Sequence, residues 1–362
     1  MKSQETVLVL SNSNWNIANF RRSFISFLQG DYKVCVGSFQ GQERIDIEGV
    51  NFVELPNIKR NSVSIKNAWL YILGLIKIVR TNEISRIYVF TFYLSSLCAL
   101  LKMLPIGKKI HIRAIITGLG KLYTSNNVLL NVLFYCCIFL LRKADSIVVQ
   151  NNSDFQLLSR YIASNKLNLI PGSGVSLFNT CLEPTPKEKT KPMVFCYVGR
   201  LLKSKGVDII IDAFRMYLQC YPNDKLLIFG DYDSNDRRFR LEINEKNIEI
   251  KGWSNNVNEV FAKSHATLLM SDREGMPKTL LESLANSTPI IAFAAPGVED
   301  IYMYASSSDV GVVVEERNAE ALMRALQEYR KLDVETYIQM GVNGRNLAYR
   351  VFSDQIINKE LK

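Results

Sequence analysis

The sequence has few of the residues from which metal centres and disulfide frameworks are built. Its seven cysteines form no C-x-x-C pair, and only Cys136 and Cys137 are adjacent, a spacing that gives neither a disulfide framework nor a zinc site. Histidine occurs twice, as His111 and His265, which excludes a histidine-rich metal centre and makes a structural role our expectation for both. We therefore predict no metal site and no resident cofactor.

Long hydrophobic runs are also absent. The N-terminus MKSQETVLVL lacks the segments of a secretory signal. The most apolar stretch, Val128–Leu141, has 14 residues, fewer than the roughly 20 that span a bilayer. Ala68–Val79 and Tyr93–Leu104 are similar, and Lys or Arg flanks or interrupts each of the three stretches. These helices either cover a sheet or contact a membrane surface, and we expect the latter of at least one.

The positive charge is confined to one half of the chain. Residues 1–180 hold 20 Lys and Arg against 9 Asp and Glu, a net charge of +11, whereas residues 181–362 hold 24 against 26, a net charge of −2. A basic half attracts nucleic acid, anionic lipid or a phosphorylated substrate, although an ordinary solvated surface is the alternative. No nucleic-acid-binding motif is visible. We therefore expect an anionic membrane surface as a partner, and a cytoplasmic protein peripheral to the inner face of the plasma membrane.

Short apolar runs alternate with helical patterns along the chain, which predicts an α/β fold with βαβ units and parallel sheets. Three of the predicted helices cover residues 19–29, residues 94–103 and a short segment near Arg238. The segment 183–192 breaks the alternation with three prolines and no large apolar residue, as is typical of a linker.

We thus predict two Rossmann-like, doubly wound domains. They cover residues 1–182 and 193–335, and C-terminal helices over 336–362 follow, whose return to the first domain is left open. Open α/β sheets bind ligands beyond the carboxyl ends of their strands. Two such edges that face a central cleft would therefore make an interdomain ligand site.

The first motif with chemical content is V-G-R-L-L-K-S-K-G, Val198–Gly206. A strand ends at Val198, Gly199 permits a turn, and Arg200 and Lys205 follow within the loop. Cations before a helix N-terminus suit a diphosphate, because Arg binds phosphate in a bidentate manner and Lys acts as a point charge. The loop is neither a Walker A nor a G-x-G-x-x-G sequence, which disfavours a nicotinamide or flavin cofactor. An ordinary basic loop is the alternative.

The second motif is S-D-R-E-G-M-P-K-T-L-L-E-S-L-A, Ser271–Ala285. Glu274 lies in a loop, Pro277 suits the first position of a helix, and Glu282 follows eight positions after Glu274. Carboxylates separated in this way can each accept hydrogen bonds from sugar or ribose hydroxyls. The alternatives are a helix-capping role for Glu274 and a solvated helix face for Glu282.

Together with KLLIFGD and PGVEDI, these motifs resemble the donor domain of the family-four retaining glycosyltransferases, over most of residues 193–315. The resemblance implies the GT-B fold and a nucleotide-sugar donor. It implies that Arg200 and Lys205 hold the donor diphosphate, that Glu274 meets the donor sugar, and that Glu282 binds the ribose. Further donor-binding residues implied by the resemblance are Gly199, Trp253, Gly275, Met276, Pro277 and Lys278.

The N-terminal half resembles a narrower group. NWNIANFRRSF (Asn14–Phe24) and ITGLGKLYT (Ile116–Thr124) are similar to bacterial members that extend lipid-linked polysaccharide precursors for capsule or O-antigen. The acceptor-side residues that the resemblance implies are Asn14, Asn19, Arg21, Thr117 and Gly118. Many members have a histidine where this sequence has Thr117-Gly118, so no catalytic histidine is assigned.

The resemblance thus implies a retaining hexosyl- or N-acetylhexosaminyl-transferase that uses a UDP-sugar and a lipid-linked saccharide. One alternative is a nucleotide-sugar epimerase or hydrolase on the same fold. The other is a non-catalytic basic module that binds membrane or nucleic acid, which would leave both motifs unexplained.

Overall fold

The computed structural model describes residues 4–39, 41–42, 45–56, 65–120, 123, 127–178, 180, 192–232, 239–306 and 309–362. The chain divides into two compact units. Unit 1 is Met1–Ser173 with Ile357–Lys362, and unit 2 is Gly174–Ile356. Among the helices that the structure describes, none combines the length and the apolar composition needed to cross a bilayer.

Unit 1 is built on a sheet of seven parallel strands, counted over the described residues, in the order β3-β2-β1-β4-β5-β6-β7. The interior strand β1 is apolar and buried from Val7 to Leu10, as expected of a parallel strand covered on both faces. The strands are β1 (Thr6–Leu10), β2 (Lys33–Phe39), β3 (Asn51–Leu55), β4 (Ile84–Phe90), β5 (His111–Ile116), β6 (Ser146–Val149) and β7 (Leu167–Leu169).

The helices of unit 1 connect these strands. They are α1 (Asn14–Phe20), α2 (Arg22–Gln29), α3 (Ile65–Thr81), α4 (Phe92–Ala99), α5 (Val128–Leu141) and α6 (Asn152–Ser159). Side-chain caps fix several helix starts: Ser13 accepts from the amide of Asn16, and Asn127 accepts from the amides of Leu129 and Leu130. Such caps satisfy amides that have no partner within the helix.

Unit 2 contains a second parallel sheet, with six strands among the described residues, in the order β10-β9-β8-β11-β12-β13. Its strands are β8 (Val194–Val198), β9 (Lys225–Phe229), β10 (Ile248–Gly252), β11 (Ala266–Leu269), β12 (Ile290–Phe293) and β13 (Gly311–Val314). Its helices are α7 (Val207–Leu218), α8 (Val257–Ala262), α9 (Lys278–Ala285), α10 (Glu299–Tyr304), α11 (Ala319–Lys331) and α12 (Val334–Arg350). A last helix, α13 (Asp354–Leu361), contains the division between the units.

The two doubly wound parallel sheets confirm the predicted fold class, whereas three elements differ from prediction. The helix predicted over 19–29 is two helices that meet at Arg21. The helix predicted over 94–103 is α4 followed by a 3-10 turn, Leu100–Met103. Strand β3 was not predicted, because as an edge strand it buries only Val53 and Leu55. The helix predicted near Arg238 falls largely on residues 233–238, outside the described residues.

The structure divides the chain earlier than the predicted boundary at residue 182. Val175 pairs with Ser353 in an isolated bridge, and Gly174 packs against Asp354, so this segment belongs to unit 2. Of the predicted linker, only Pro192 is described. Of the segment 336–362, only Ile357–Lys362 groups with unit 1, where the amide of Asn358 donates to Ser23 (2.8 Å).

Candidate functional site

The strand order of unit 2 locates a candidate site. The chain runs outward from β8 to β10 and then returns to place β11 on the other side of β8. Ligands of open α/β sheets bind at the carboxyl ends of the strands where the order reverses in this way. Here that point lies between the loop after β8, residues 199–206, and the loop after β11, residues 270–277. These two loops contain most of the residues predicted to bind a donor.

The loop after β8 is held against the end of β11. It contains a 3-10 turn, Lys203–Lys205, and ends at Gly206, whose φ of 67° is left-handed. A Cβ on Gly206 would lie 2.3 Å from the carbonyl oxygen of Met270. Glycine is therefore required here both by the backbone conformation and by this close approach.

Backbone hydrogen bonds join the loop after β11 to its neighbours. The amide of Asp272 donates to the carbonyl of Ser204 (2.9 Å), and the amide of Glu274 donates to the carbonyl of Pro296 (2.9 Å). A Cβ on Gly297 would lie 2.6 Å from the carbonyl oxygens of Glu274 and Gly275. The loop therefore has a defined position between its two neighbours.

Lys205 and Glu274, predicted independently from the two motifs, contact each other. The distance from Lys205 Nζ to Glu274 Oε1 is 2.5 Å, and the two side chains are 22% and 14% exposed. The hydroxyl of Ser271 donates to the same carboxylate oxygen (2.7 Å). Charge-assisted hydrogen bonds of this kind are stronger than neutral ones. Glu274 therefore fixes the ammonium group at the end of the sheet.

Helix α9 presents its N-terminus to this loop. Lys278 is the first helical residue, and Pro277 is the N-cap residue rather than the first residue of the helix as predicted. Lys278 Nζ lies 3.4 Å from Glu282 Oε1, and the Glu282 side chain is only 25% exposed, so it does not lie on a fully solvated face. Burial raises the pKa of Glu282, and the nearby ammonium of Lys278 opposes this rise. Gly275 and Met276 are half-buried in the same loop.

Arg200 and Trp253 follow strands β8 and β10 at the same edge of the sheet. Arg200 is exposed, and its carbonyl accepts a hydrogen bond from the buried hydroxyl of Tyr197 (2.7 Å). Burial and, secondly, the charge of Glu274 raise the pKa of Tyr197, whereas Arg200 lowers it. Trp253 is 57% exposed, and its indole N–H donates to Asn255 (3.1 Å). Both side chains are thus accessible to a ligand.

Arg317 is a residue of this site that the sequence did not predict. Its guanidinium donates from Nε to the carbonyl of Met270 (2.8 Å) and from Nη2 to the carbonyl of Lys203 (3.1 Å). Its Nη1 lies 2.9 Å from Oδ1 of Asp272. One side chain thereby connects both loops. A cation shortly after β13 is a weak signal in the sequence, since two of its three acceptors are backbone carbonyls.

The predicted acceptor-side residues lie in unit 1. The strand order of this sheet reverses between β1 and β4, and Asn14 follows β1. The side chain of Asn14 is buried; its amide donates to Ser38 (3.2 Å) and its oxygen accepts from the amide of Phe39 (3.0 Å). Asn14 therefore joins the ends of β1 and β2.

The other predicted acceptor-side residues have different surroundings. Asn19 donates to the carbonyl of Trp15 (2.8 Å), and Thr117 and Gly118 are half-buried directly after β5. Arg21 is buried, lies 3.9 Å from the ring centroid of Phe90 and donates to Ser173 (2.7 Å). Its burial lowers the pKa of the guanidinium to about 9. Arg21 and Asn14 therefore hold the interior of unit 1 together.

Thr91 was also missed by sequence reasoning. It stands at the end of β4, where the strand order reverses, with a φ of 83°, which is a strained conformation for a β-branched residue. Of the two histidines, His265 is buried, and its Nδ1 accepts from the amide of Val194 (2.9 Å), which is a structural contact. His111 is the exposed first residue of β5.

The C-terminal part of the chain is similar to known proteins. Residues 182–347 match the family described as "Glycosyl transferases group 1". The capsular polysaccharide biosynthesis glycosyltransferase CapM of Staphylococcus aureus is 27% identical over 175 residues, 47% of this chain and 44% of that protein. The lipopolysaccharide 1,6-galactosyltransferase of Salmonella typhimurium is 32% identical over 145 residues, 38% of this chain and 39% of that protein. The chain spans about half or less of the length of the curated relatives that it matches.

The fold of the whole chain is found among solved structures. Anabaena HepE in complex with UDP and glucose has a TM-score of 0.77 at 14% identity, and the match covers 99% of this chain and 98% of HepE. At such low identity the likeness shows the fold alone, which is the GT-B fold expected from the resemblance. The motifs after β8 and β11 both lie within the segment 182–347 that matches the glycosyl transferases group 1 family.

Proposed function

We propose that this chain is a retaining glycosyltransferase that transfers a sugar from a UDP-sugar to a hydroxyl of a lipid-linked saccharide. It acts in the synthesis of a surface polysaccharide, capsule or O-antigen. Because the acceptor is held in a membrane, the enzyme works as a peripheral protein at the cytoplasmic face of the plasma membrane.

The observation that carries the proposal is the contact between the two loops of unit 2. The Lys205–Glu274 ion pair (2.5 Å) and the Asp272–Ser204 hydrogen bond (2.9 Å) bring a cation, a carboxylate and the N-terminus of α9 together. They meet where the strand order reverses. A diphosphate requires the cation and the helix amides, and a sugar requires a hydrogen-bond acceptor.

The proposed chemistry is mainly electrostatic. As the glycosidic bond breaks, negative charge develops on the leaving diphosphate, and Arg200, Lys205 and the amides at the start of α9 stabilise it. Glu274 accepts a hydrogen bond from the donor sugar, and Glu282 accepts from the ribose. The acceptor hydroxyl attacks the face from which the diphosphate departs, and its proton passes to the leaving phosphate oxygen. The anomeric configuration is thereby retained.

The relatives support the substrate classes. HepE was solved with UDP and glucose, which supports a UDP-sugar donor. CapM is named for capsular polysaccharide biosynthesis and the Salmonella protein for transfer of galactose to lipopolysaccharide, which supports a growing surface polysaccharide as the acceptor. An epimerase or hydrolase on the same fold is the rival. Analysis of the products with and without a saccharide acceptor separates them, because only a transferase requires the acceptor.

Substitution of the two cations tests the proposal. Arg200→Ala and Lys205→Ala should each lower kcat by about 10²–10³-fold, the usual effect of removing one group that stabilises transition-state charge. The double variant should lose less than the product of the two effects, since both cations act on one diphosphate. Lys263→Ala is the matched control, because Lys263 is 72% exposed at the end of α8 and pairs with Glu259.

The assay measures kcat and KM for a UDP-sugar selected by its protection of the protein against thermal unfolding. The product's anomeric configuration is read by NMR. Near wild-type kinetics for both Arg200→Ala and Lys205→Ala would refute the donor site. Inversion at the anomeric carbon would refute the retaining mechanism and leave the transfer activity standing.

A further inference from the structure

Unit 1 carries a layer of three helices on its sheet. Helix α4 contacts both α3 and α5, and it is buried along its length except for the half-buried Tyr93. The outer surface of this layer is therefore formed by α3 and α5. Both helices keep large apolar side chains exposed, which is unusual in a monomeric protein when such side chains form a contiguous group.

Helix α3 combines exposed apolar and basic side chains on one side. Trp69, Leu70 and Leu73 are 61%, 44% and 47% exposed. Their spacing of one, three and four positions places them on one helical face. The exposed cations of the same helix are Lys66, Lys77 and Arg80.

Helix α5 exposes a longer apolar row. Its exposed side chains are Val128 (77%), Leu129 (75%), Val132 (55%), Tyr135 (54%) and Phe139 (57%). Val128 and Leu129 are adjacent, and the residues that follow are spaced by three or four positions, which is again the pattern of one face. Arg142 and Lys143 follow directly and are exposed, and Lys143 Nζ lies 5.7 Å from the ring centroid of Phe139.

The charges of this layer have one sign. Helices α3, α4 and α5 contain no Asp or Glu, so the exposed charges of α3 and of the end of α5 are all positive. We call the exposed side chains of both helices the apolar-basic face; it consists of Lys66, Trp69, Leu70, Leu73, Lys77, Arg80, Val128, Leu129, Val132, Tyr135, Phe139, Arg142 and Lys143.

We propose that the apolar-basic face docks on an anionic lipid bilayer. The apolar side chains enter the boundary between headgroups and acyl chains, and the five cations contact anionic headgroups. Tyr135 and Trp69 suit this boundary because each has an apolar body and a polar group. A second copy of this chain fits the face poorly, because a two-fold interface would place cations against cations with no carboxylate from these helices between them.

The proposal is independent of the transfer activity, because its test uses neither donor nor acceptor. The full chain is sedimented with vesicles of phosphatidylcholine with or without phosphatidylglycerol. We expect binding only with the anionic lipid, and weaker binding as salt screens the cations. Val132→Glu with Phe139→Glu should weaken binding at least about tenfold, and so should Lys66→Gln with Lys77→Gln and Arg80→Gln. The control is Met303→Glu with Val334→Glu, at positions exposed by 67% and 47% in unit 2.

A second measurement leaves the face intact. Cys136 is exposed on α5 and Cys220 is exposed in unit 2. An environment-sensitive fluorophore is attached to Cys136 in a variant with Cys181 and Cys220 replaced by serine, and to Cys220 in a variant with Cys136 and Cys181 replaced by serine. Anionic vesicles should shift the emission of the probe on Cys136 to shorter wavelength and leave the probe on Cys220 unchanged.

Three results would overturn the proposal. The first is that the Val132→Glu/Phe139→Glu variant binds anionic vesicles as well as the control does, and the second is that vesicles leave the emission of the probe on Cys136 unchanged. The third is that light scattering shows a dimer of the wild type that the Val132→Glu/Phe139→Glu substitutions dissociate. The last result would assign the face to a second copy of the chain.

Discussion

Arg317 shows how a residue outside both motifs can set the geometry of the candidate donor site. Its guanidinium holds the end of β11, the turn that carries Lys205 and the loop that carries Glu274. Arginine suits this position because its donors have a fixed planar arrangement, whereas lysine offers a single point of attachment. Its side chain is 25% exposed, so we expect substitution of Arg317 to displace the two loops without a large loss in the free energy of unfolding.

We expect Arg317→Ala to lower kcat by about 10–10²-fold, because small displacements of catalytic groups cost rates of this order. Since Arg317 acts through the position of Lys205, Arg317→Ala should add little in a Lys205→Ala background. Arg317→Lys should recover only part of the rate. Arg215→Ala is the control, because Arg215 also binds carboxylates and a backbone carbonyl. If the fold-losses in kcat of Arg317→Ala and Lys205→Ala multiplied in the double variant, this role would be contradicted.

The raised pKa of Glu282 predicts a pH dependence of donor binding. If the ionised carboxylate accepts from the ribose, affinity is complete above the raised pKa and declines as the pH falls through it, towards a loss of about tenfold or more for a charge-assisted bond. UDP-glucose is a suitable probe, because its diphosphate diester does not titrate in that range. Calorimetry should give a pH-dependent Kd for the wild type and a nearly constant Kd for Glu282→Gln. The same slope in both would assign the titration to another group.

At the scale of elements, the sequence predicts what hydrophobic patterning determines and misses what tertiary contacts determine. The buried strands β1 and β8 stand out as apolar runs. The edge strand β3 does not, because it buries only two side chains. The break between α1 and α2 is also not visible in the sequence; it falls at Arg21, which packs against Phe90 of β4. The Lys205–Glu274 contact likewise can be predicted only once β8 and β11 are known to be neighbouring strands.

The close approach of the two loops in unit 2 can be tested with two glycines of nearly equal conformation. Gly206 and Gly252 have φ values of 67° and 69°, but only a Cβ on Gly206 would meet a neighbour, Met270 O at 2.3 Å. Gly252→Ala should therefore cost only the left-handed strain, about 1 kcal/mol of unfolding free energy. Gly206→Ala should cost at least about 1–2 kcal/mol more, because packing must also give way. Urea denaturation measures both, and equal losses would mean that the loops are not held together tightly.

At the scale of the whole molecule, two parallel-sheet units could be predicted because alternating strands and helices repeat throughout the chain. The division between the units was harder to predict. Composition indicates a boundary at the proline-rich segment, but the residues before it already pair with the C-terminal part of unit 2 through Val175 and Ser353. The packing of Ile357–Lys362 in unit 1 likewise depends on contacts across the sequence, such as that of Lys362 with Asp31 (2.5 Å). A central cleft between the domains stays a prediction.

The proposed chemistry of the whole enzyme predicts that transfer needs no divalent metal. In that proposed chemistry, Arg200, Lys205 and the amides at the start of α9 supply the positive charge that a metal ion would otherwise provide to a leaving diphosphate. Activity should therefore persist in excess EDTA at close to its untreated level, measured with the same donor and acceptor. A complete loss of activity in EDTA that is reversed by Mn²⁺ or Mg²⁺ would contradict the charge argument.

Asp231 would then be the first residue to substitute. It follows β9 at the same edge of the sheet, where its backbone carbonyl accepts a hydrogen bond from the amide of Leu201 (3.0 Å). If the Asp231→Asn variant needed a higher metal concentration to restore activity, Asp231 would be identified as a metal ligand. Activity of the wild type without metal would instead support Arg200 and Lys205 as the groups that neutralise the diphosphate.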